Sequence, residues 1–447
     1  MQEKERVKKS LRYSIVEGSF WSIMAGFGLD FLQPFAVLLK ATTLQLGLLS
    51  TLPQLLGSLS QLLDEWLMTL FKSKKKFVLF FVAVQALLWL PIAFIPYMNH
   101  GSQLVWILIA LAVLHFTCGL IVSPIWSAWI GDLVEIHSRG SYFGVRNKVA
   151  GYVYFFSYLA AGIILYYFKL LYNSPFIAFT ILFLVAMFAR IVSYTYLTKH
   201  YEPHNHFKVK KIGFIQFLKE TKKTNFGWLT AYLSLTNFSV YVAAPYFAAY
   251  LLNDLHLNYL QFVIVIAASL LAKNISMPIW GKFGDRYGSL KVLTLAGFMV
   301  PAVAFVLILS KSWVYLIFAQ IFSGIAWAGF DLASFTFILD STKPEKRICY
   351  ISYYNVIQGV FVFLGSMIGV WLVKFGFLAW SGYAFLFLIS GVFRYAVAFL
   401  LLGKLKEVRP VTKIKYSHLF VKVITSLPTV SSISHIGHIN GFLNSKK

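Results

Sequence analysis

Long apolar stretches of some twenty residues alternate with short polar, mostly basic segments along most of the 447-residue chain. Each stretch is long enough to cross the hydrocarbon core of a bilayer as a helix, which takes about 20 residues. Inside hydrocarbon a backbone amide has no water to bond, so the stretches are predicted to be helices rather than open strands. Twelve are read at 15–39, 44–68, 77–97, 103–130, 149–168, 174–197, 226–252, 259–280, 290–310, 313–339, 351–373 and 378–402. The pattern therefore predicts an all-α membrane protein with twelve transmembrane helices and with both chain ends on one side.

Composition agrees with that picture. Apolar residues make up 59% of the chain and charged ones 13%, against about 25% charged in soluble domains. A net charge of +24 would suit a nucleic-acid binder only if the basic residues shared one soluble face. Here they are dispersed between apolar runs, so nucleic acid is excluded as a partner. Placing the N-terminus in the cytoplasm assigns all but seven of the 40 Lys and Arg to cytoplasmic segments, Lys291 at the edge of the ninth stretch being counted with its loop; the exceptions are Lys40, Lys169, Lys311 and Lys374 outside and Arg190, Lys273 and Arg394 within helices. Such a bias toward cytoplasmic loops sets the orientation, and the expected location is the cell (cytoplasmic) membrane. The segments 1–14, 198–225 and 403–447 are then a cytoplasmic N-terminus, linker and tail. The basic linker is expected to carry one amphipathic helix lying on anionic lipid. Cys118 and Cys349 exclude an extracellular disulfide framework. The first apolar run is long, contains Asp30 and lacks a small-residue cleavage site, and is read as a retained helix rather than a signal peptide.

The chain is internally repeated. A shift of 208 superposes Asp132 on Asp340, Arg139 on Arg347, Asn147 on Asn355 and Gly151 on Gly359; shifts of 211, 205 and 204 place Pro34 on Pro245, Gly119 on Gly324 and Arg190 on Arg394. Nearly constant shifts with conserved order point to two pseudo-symmetric six-helix bundles, 15–197 and 226–402.

After the eighth stretch comes GKFGDRYGSLK, Gly281 to Lys291. It is similar to the G-x-x-x-D-R-x-G loop of the major facilitator superfamily, and the number of spans and the six-plus-six repeat extend the resemblance over nearly the whole chain. The resemblance implies an alternating-access transporter with a latch formed by Gly281, Gly284, Asp285, Arg286 and Gly288. Asp285 would face the positive N-terminus of a neighbouring helix, and Arg286 would pair with a carboxylate. The first-half copy has decayed: around Asp64 the chain has Glu65 in place of Arg and Leu67 in place of Gly. The R-x-x-x-G signature of the fourth helix is met by His115 to Gly119, with His in place of Arg, and the G-P pair of drug/proton antiporters is absent from the fifth stretch.

Ionisable groups at membrane depth are costly and are candidates for function by default. The candidates for the substrate and ion cavity are Asp30, Gln33, His115, Trp126, Asn237, Tyr241, Lys273, Gln320, Trp327 and Asp331. Asp30 and Gln33 share a stripe with Gly26 at helical spacing. Gln320, Gly324, Trp327 and Asp331 form one helical face, repeated by His115, Gly119, Val122 and Trp126, and both faces are expected to look into a central cleft. Lys273 lies eight residues before Gly281 and Asp331 nine before Asp340, so the two sit about 12–14 Å from the same end of their helices and are placed to pair. Arg190 and Arg394 are read as structural groups that snorkel toward water. Trp126, Trp129, Tyr154, Tyr158, Tyr241 and Trp327 are placed to stack on a ring-bearing substrate, although lipid contact accounts for most aromatics in such a protein. No metal-ligand cluster, nucleotide loop or nucleophile triad is present in the sequence, so neither cofactor nor enzymatic activity is expected. The reading is a monomeric secondary transporter of a small solute, coupled to protons. A transporter-like receptor or scaffold is the alternative.

Overall fold

The structure is a computed structural model of the chain that describes residues 2–98, 101–134, 139–172, 174–202, 213–342, 346–375, 382–408, 411–412, 414 and 416–426. The side chains of Asp64, Glu65, Asp132, Arg139 and Arg347, and most of the tail, lie outside the described residues. Among the described residues twelve helices are long and apolar enough to cross a membrane. They are α1 (Glu5–Leu38), α2 (Thr43–Leu63), α3 (Lys74–Tyr97), α4 (Leu104–Ser127), α5 (Val145–Tyr172) and α6 (Phe176–Thr198), followed by α7 (Asn225–Asp254), α8 (Tyr259–Tyr287), α9 (Ser289–Val306), α10 (Trp313–Asp340), α11 (Cys349–Leu372) and α12 (Gly382–Lys404).

Packing repeats the sequence duplication. In the first bundle α1 packs on α5 and α6, α2 on α4, and α3 on α4 and α6; in the second α7 packs on α11 and α12, α8 on α10, and α9 on α10 and α12. Each contact maps onto its partner by adding six to the helix number. The bundles meet along two equivalent seams, α2 with α11 and α5 with α8. On the side opposite the chain ends, Phe179 of α6 meets Tyr259 of α8 edge-on at 5.9 Å, and the Lys169 ammonium lies 5.5 Å from the same ring.

The first stretch forms one span, but the regular helix read over 15–39 is corrected in its interior. α1 is regular only to Phe27, then passes through Gly28 and one tight turn at Leu29–Phe31 before resuming at Leu32. α7 breaks at the related place, after Tyr241, with a tight turn at Ala244–Tyr246. Pro34 and Pro245, superposed by the repeat, each lack the amide hydrogen that would continue the ladder. The breaks leave Asp30 and Tyr241 beside irregular backbone facing a protein interior, an arrangement that membrane transporters use at binding sites.

The predicted loop at Gly281–Lys291 is corrected as well. α8 stays helical through Tyr287, because Gly281 and Gly284 weaken a helix without forbidding it, and only Gly288 leaves it, at φ 99°. Glu407, just beyond α12, accepts from the amide of Leu290 at 2.9 Å and caps the start of α9. A Cβ at Gly288 would stand 2.2 Å from Glu407 Oε2, whereas one at Gly284 meets nothing within 4 Å. Gly288→Ala is therefore expected to lose about 1–3 kcal/mol of stability through strained backbone and a displaced cap, while Gly284→Ala stays within about 0.5 kcal/mol or gains. Thermal unfolding of the two purified variants in detergent checks the contrast.

Candidate functional site

In the second bundle Lys273 of α8 and Asp331 of α10 form an ion pair, Nζ to Oδ2 2.6 Å, with side chains 34% and 41% exposed. Gly324 makes the encounter possible: a Cβ there would lie 2.2 Å from the Ser269 carbonyl and 2.9 Å from the Lys273 amide nitrogen. The absence of a side chain lets α10 cross α8 backbone to backbone, and Asp331, two turns further on, comes within reach of the lysine. In the same bundle, Asn237 of α7 donates to Gln358 Oε1 of α11 at 2.8 Å, and Gln358 donates on to Ser234 at 3.3 Å. Tyr241 is half-buried at the break of α7.

In the first bundle the Tyr154 hydroxyl of α5 donates to Asp30 Oδ2 at 2.5 Å. Asp30 has no Lys, Arg or His within ion-pair distance among the described residues. Gln33 donates to the Leu46 carbonyl of α2 at 3.1 Å. The α5/α8 seam brings the two sets toward each other: a Cβ at Gly151 would lie 3.7 Å from Asn274 Nδ2, one residue from Lys273 and one helical turn from Tyr154. A half-exposed ion pair and a tyrosine-bonded carboxylate thus flank one inter-bundle contact at membrane depth.

The faces expected to look into the cleft divide. His115 is buried, its ring 4.6 Å from that of Trp89 on α3, and neither ring nitrogen has a partner among the described residues. Gln85 of α3 donates to the His115 carbonyl at 3.2 Å and lies where a Cβ on Gly119 would be, 2.7 Å from Nε2. The expectation for this face is therefore corrected: it is the α3/α4 packing seam. Gln320 is also buried, and Gly324 is spent on the α8/α10 crossing, so of that face only Asp331 and Trp327 retain appreciable exposure. Trp327 meets Phe330 edge-on at 5.4 Å. Trp126 lies under the Arg146 guanidinium at 4.4 Å. His115→Leu, which removes no ring hydrogen bond among the described residues, is expected to leave the pH dependence of transport unshifted and to change stability by under about 1.5 kcal/mol. A pH profile of flux displaced by this substitution would return His115 to the list of titrating groups.

A second buried cluster escaped the sequence reading. Glu17 of α1 accepts from Arg146 Nη2 at 3.2 Å and from Ser193 at 3.1 Å, and lies 3.8 Å from Arg190 Nη1. Arg190 donates to Gln85 at 2.7 Å and to Ser193 at 3.0 Å. Neither Arg190 nor Arg394 snorkels; both are buried, and Arg394 donates to the Val300 carbonyl at 3.3 Å. The signal available was Arg190 itself, since an arginine buried at depth calls for a carboxylate, and Glu17 is the lone acid between Arg6 and Leu29.

At the latch, Asp285 and Arg286 are both exposed. Among the described residues no carboxylate lies within ion-pair distance of Arg286; its carbonyl accepts from the Thr412 amide at 3.3 Å. Gly281 and Gly284, together with Asp285, Trp280 and Thr336, line a cavity of about 160 Å³ between α8, α9 and α10.

The sequence matches the family model described as Major Facilitator Superfamily over residues 18–268 and again over 229–439. Multidrug resistance protein MdtH of Aeromonas salmonicida (strain A449) is 29% identical over 98 residues, 22% of this chain and 24% of that protein. The matched stretch thus spans about a quarter of that relative. Among solved structures, the xylose transporter XylE from E. coli, in a partially occluded inward-open conformation, superposes with a TM-score of 0.64 at 11% identity, covering 92% of this chain and 100% of that one. The nucleoside transporter NupG gives 0.61 at 12% identity over 89% and 98%. At such identities the likeness is one of fold.

Proposed function

The chain belongs to the Major Facilitator Superfamily, and from that premise we propose that it carries a small solute across the cell membrane by alternating access, coupled to protons, with both chain ends in the cytoplasm. The observation that carries the proposal is the Lys273–Asp331 pair, half-exposed at membrane depth. A fully enclosed pair is a fixture of packing, whereas one that faces an accessible space can exchange its partner for a solute or a proton. Asp30, held by a neutral hydroxyl, is the natural proton carrier, because among the described residues no Lys, Arg or His lies within ion-pair distance of it. Rocking of the 15–197 bundle against the 226–402 bundle about the α2/α11 and α5/α8 seams would present the site to each side in turn, with 198–225 as the tether between them. The Gly281–Gly288 segment would act as the latch of the second bundle.

Solutes that raise the unfolding temperature of the purified protein should be transported into proteoliposomes faster under an imposed pH gradient, and a proton ionophore should abolish the difference. Flux indifferent to the gradient would remove the proton from the proposal. Stabilising solutes that never cross would remove transport.

A further inference from the structure

The connection between the bundles contains an eight-residue helix, Phe214–Thr221, ending just before α7 begins at Asn225. Its two faces differ in what they meet. Phe217 is buried among aromatic rings, 5.0 Å from Tyr350 and 5.2 Å from Tyr353 and 6.1 Å from Phe226. Glu220 accepts from Lys346 at 2.6 Å and from Tyr350 at 2.7 Å. These bonds, Lys346 foremost, hold its carboxyl down at about 2 from the ordinary 4.5, so the clamp onto the start of α11 stays ionised throughout the physiological range. The other face carries Ile215 and Leu218, with Phe214 at its edge packed on Tyr353 at 5.2 Å, and Ile215 is 70% exposed.

These two large apolar side chains, neighbours on the helix at i and i+3, are outward on an element whose other side is fixed. Lys219, Lys222 and Lys223 are exposed around them. On the neighbouring end of α12, the Lys404 ammonium sits 4.2 Å from the Trp228 ring, and Asn225 donates to the Lys406 carbonyl at 2.7 Å. Glu220 is taken up by Lys346, so the rim is cationic. The helix therefore stands at the membrane boundary on the face bearing the chain ends, with an apolar stripe and a fringe of lysines, the arrangement of a helix lying in a lipid interface.

We infer that the Phe214–Thr221 helix is seated in the cytoplasmic leaflet, Ile215 and Leu218 among the acyl chains, with Lys219, Lys222 and Lys223 binding anionic phospholipid headgroups. Its occupant is lipid rather than a soluble protein because the stripe is fringed by three exposed lysines at the start of a membrane-spanning helix, and these match the negative surface of that leaflet. The cytoplasmic assignment rests on the orientation proposed above. The apolar seating does not: it holds for whichever leaflet the chain ends face, and the headgroup contacts need only anionic lipid in that leaflet. Because the inner face of this helix grips α11, which forms one inter-bundle seam, the charge of the leaflet would bear on the motion of the bundles.

The test uses the full-length protein carrying Ile215→Cys as its one thiol, Cys118 and Cys349 being replaced, with a bimane label and brominated acyl chains as quencher. In nanodiscs containing phosphatidylglycerol, strong quenching is expected, with partial loss in phosphatidylcholine alone and a similar loss when K219Q, K222Q and K223Q are combined. A label unquenched in both lipids would overturn the seating. Equal quenching in both lipids, unaffected by the lysine substitutions, would overturn the headgroup site. Neither readout requires transport. Protease protection in sealed vesicles separately reports the side, so an inverted orientation would be recognised as a failure of the functional reading and not of this one.

Discussion

Glu17→Gln is expected to remove about 3–5 kcal/mol of stability, the penalty for deleting one member of a buried charge pair. Glutamine keeps the size and an acceptor for Ser193, so the loss isolates the charge. Two arginines, Arg190 at 4% and Arg146 at 14% side-chain exposure, are left without their shared carboxylate. Expression and unfolding temperature should both fall. Adding Arg190→Gln should recover part of the loss, because the second substitution removes a cation that the first left stranded, and the departure from additivity is the coupling within the cluster. A Glu17→Gln protein as stable as the parent would show that the arginines do not depend on Glu17.

The second large effect concerns Lys273 and Asp331. Lys273→Met and Asp331→Leu should each cost about 1.5–3 kcal/mol, the range for hydrogen bonds to charged groups. That is less than for a fully enclosed pair, because both side chains are more than a third exposed and water relieves the survivor. The double variant should fold better than either single one. Transport decides the role: if the pair only fastens α8 to α10, the double variant transports, and if it exchanges partners with proton or solute, the double variant inserts well and cannot couple. Strictly additive losses would mean that the two side chains do not act on each other.

The fold was legible because the signals that define it are long. Twenty-residue apolar runs, the bias of lysine and arginine toward one side, and matched landmarks such as Asp132 with Asp340 and Pro34 with Pro245 each extend over many residues, and local errors do not cancel them. The Lys273–Asp331 encounter was legible because depth along two helices ending on one side follows from rise per residue alone. Rotation about the helix axis was not. Spacing placed His115, Gly119 and Trp126 on one face, but which neighbour that face meets depends on the packing of all six helices. Here Trp89 and Gln85 of α3 take the place of the open cleft. The same gap hid Glu17, whose partners lie on α5 and α6, more than 120 residues away. Gly281 and Gly284 misled in another way: they mark a turn only where the chain needs a positive φ, and of the three glycines in the motif only Gly288 has one.

Alternating access is tested most directly by inter-bundle distances on both faces of one molecule, measured by pulsed electron paramagnetic resonance. In a background lacking Cys118 and Cys349, one spin-label pair at Lys72 and Lys222 spans the face bearing the chain ends, and another at Lys40 and Lys311 spans the opposite face. Between mildly alkaline and acidic pH the two distances are expected to change in opposite directions, one face closing as the other opens, and Asp30→Asn should abolish the response. Two distances that stay fixed, or that lengthen and shorten together, would contradict the account.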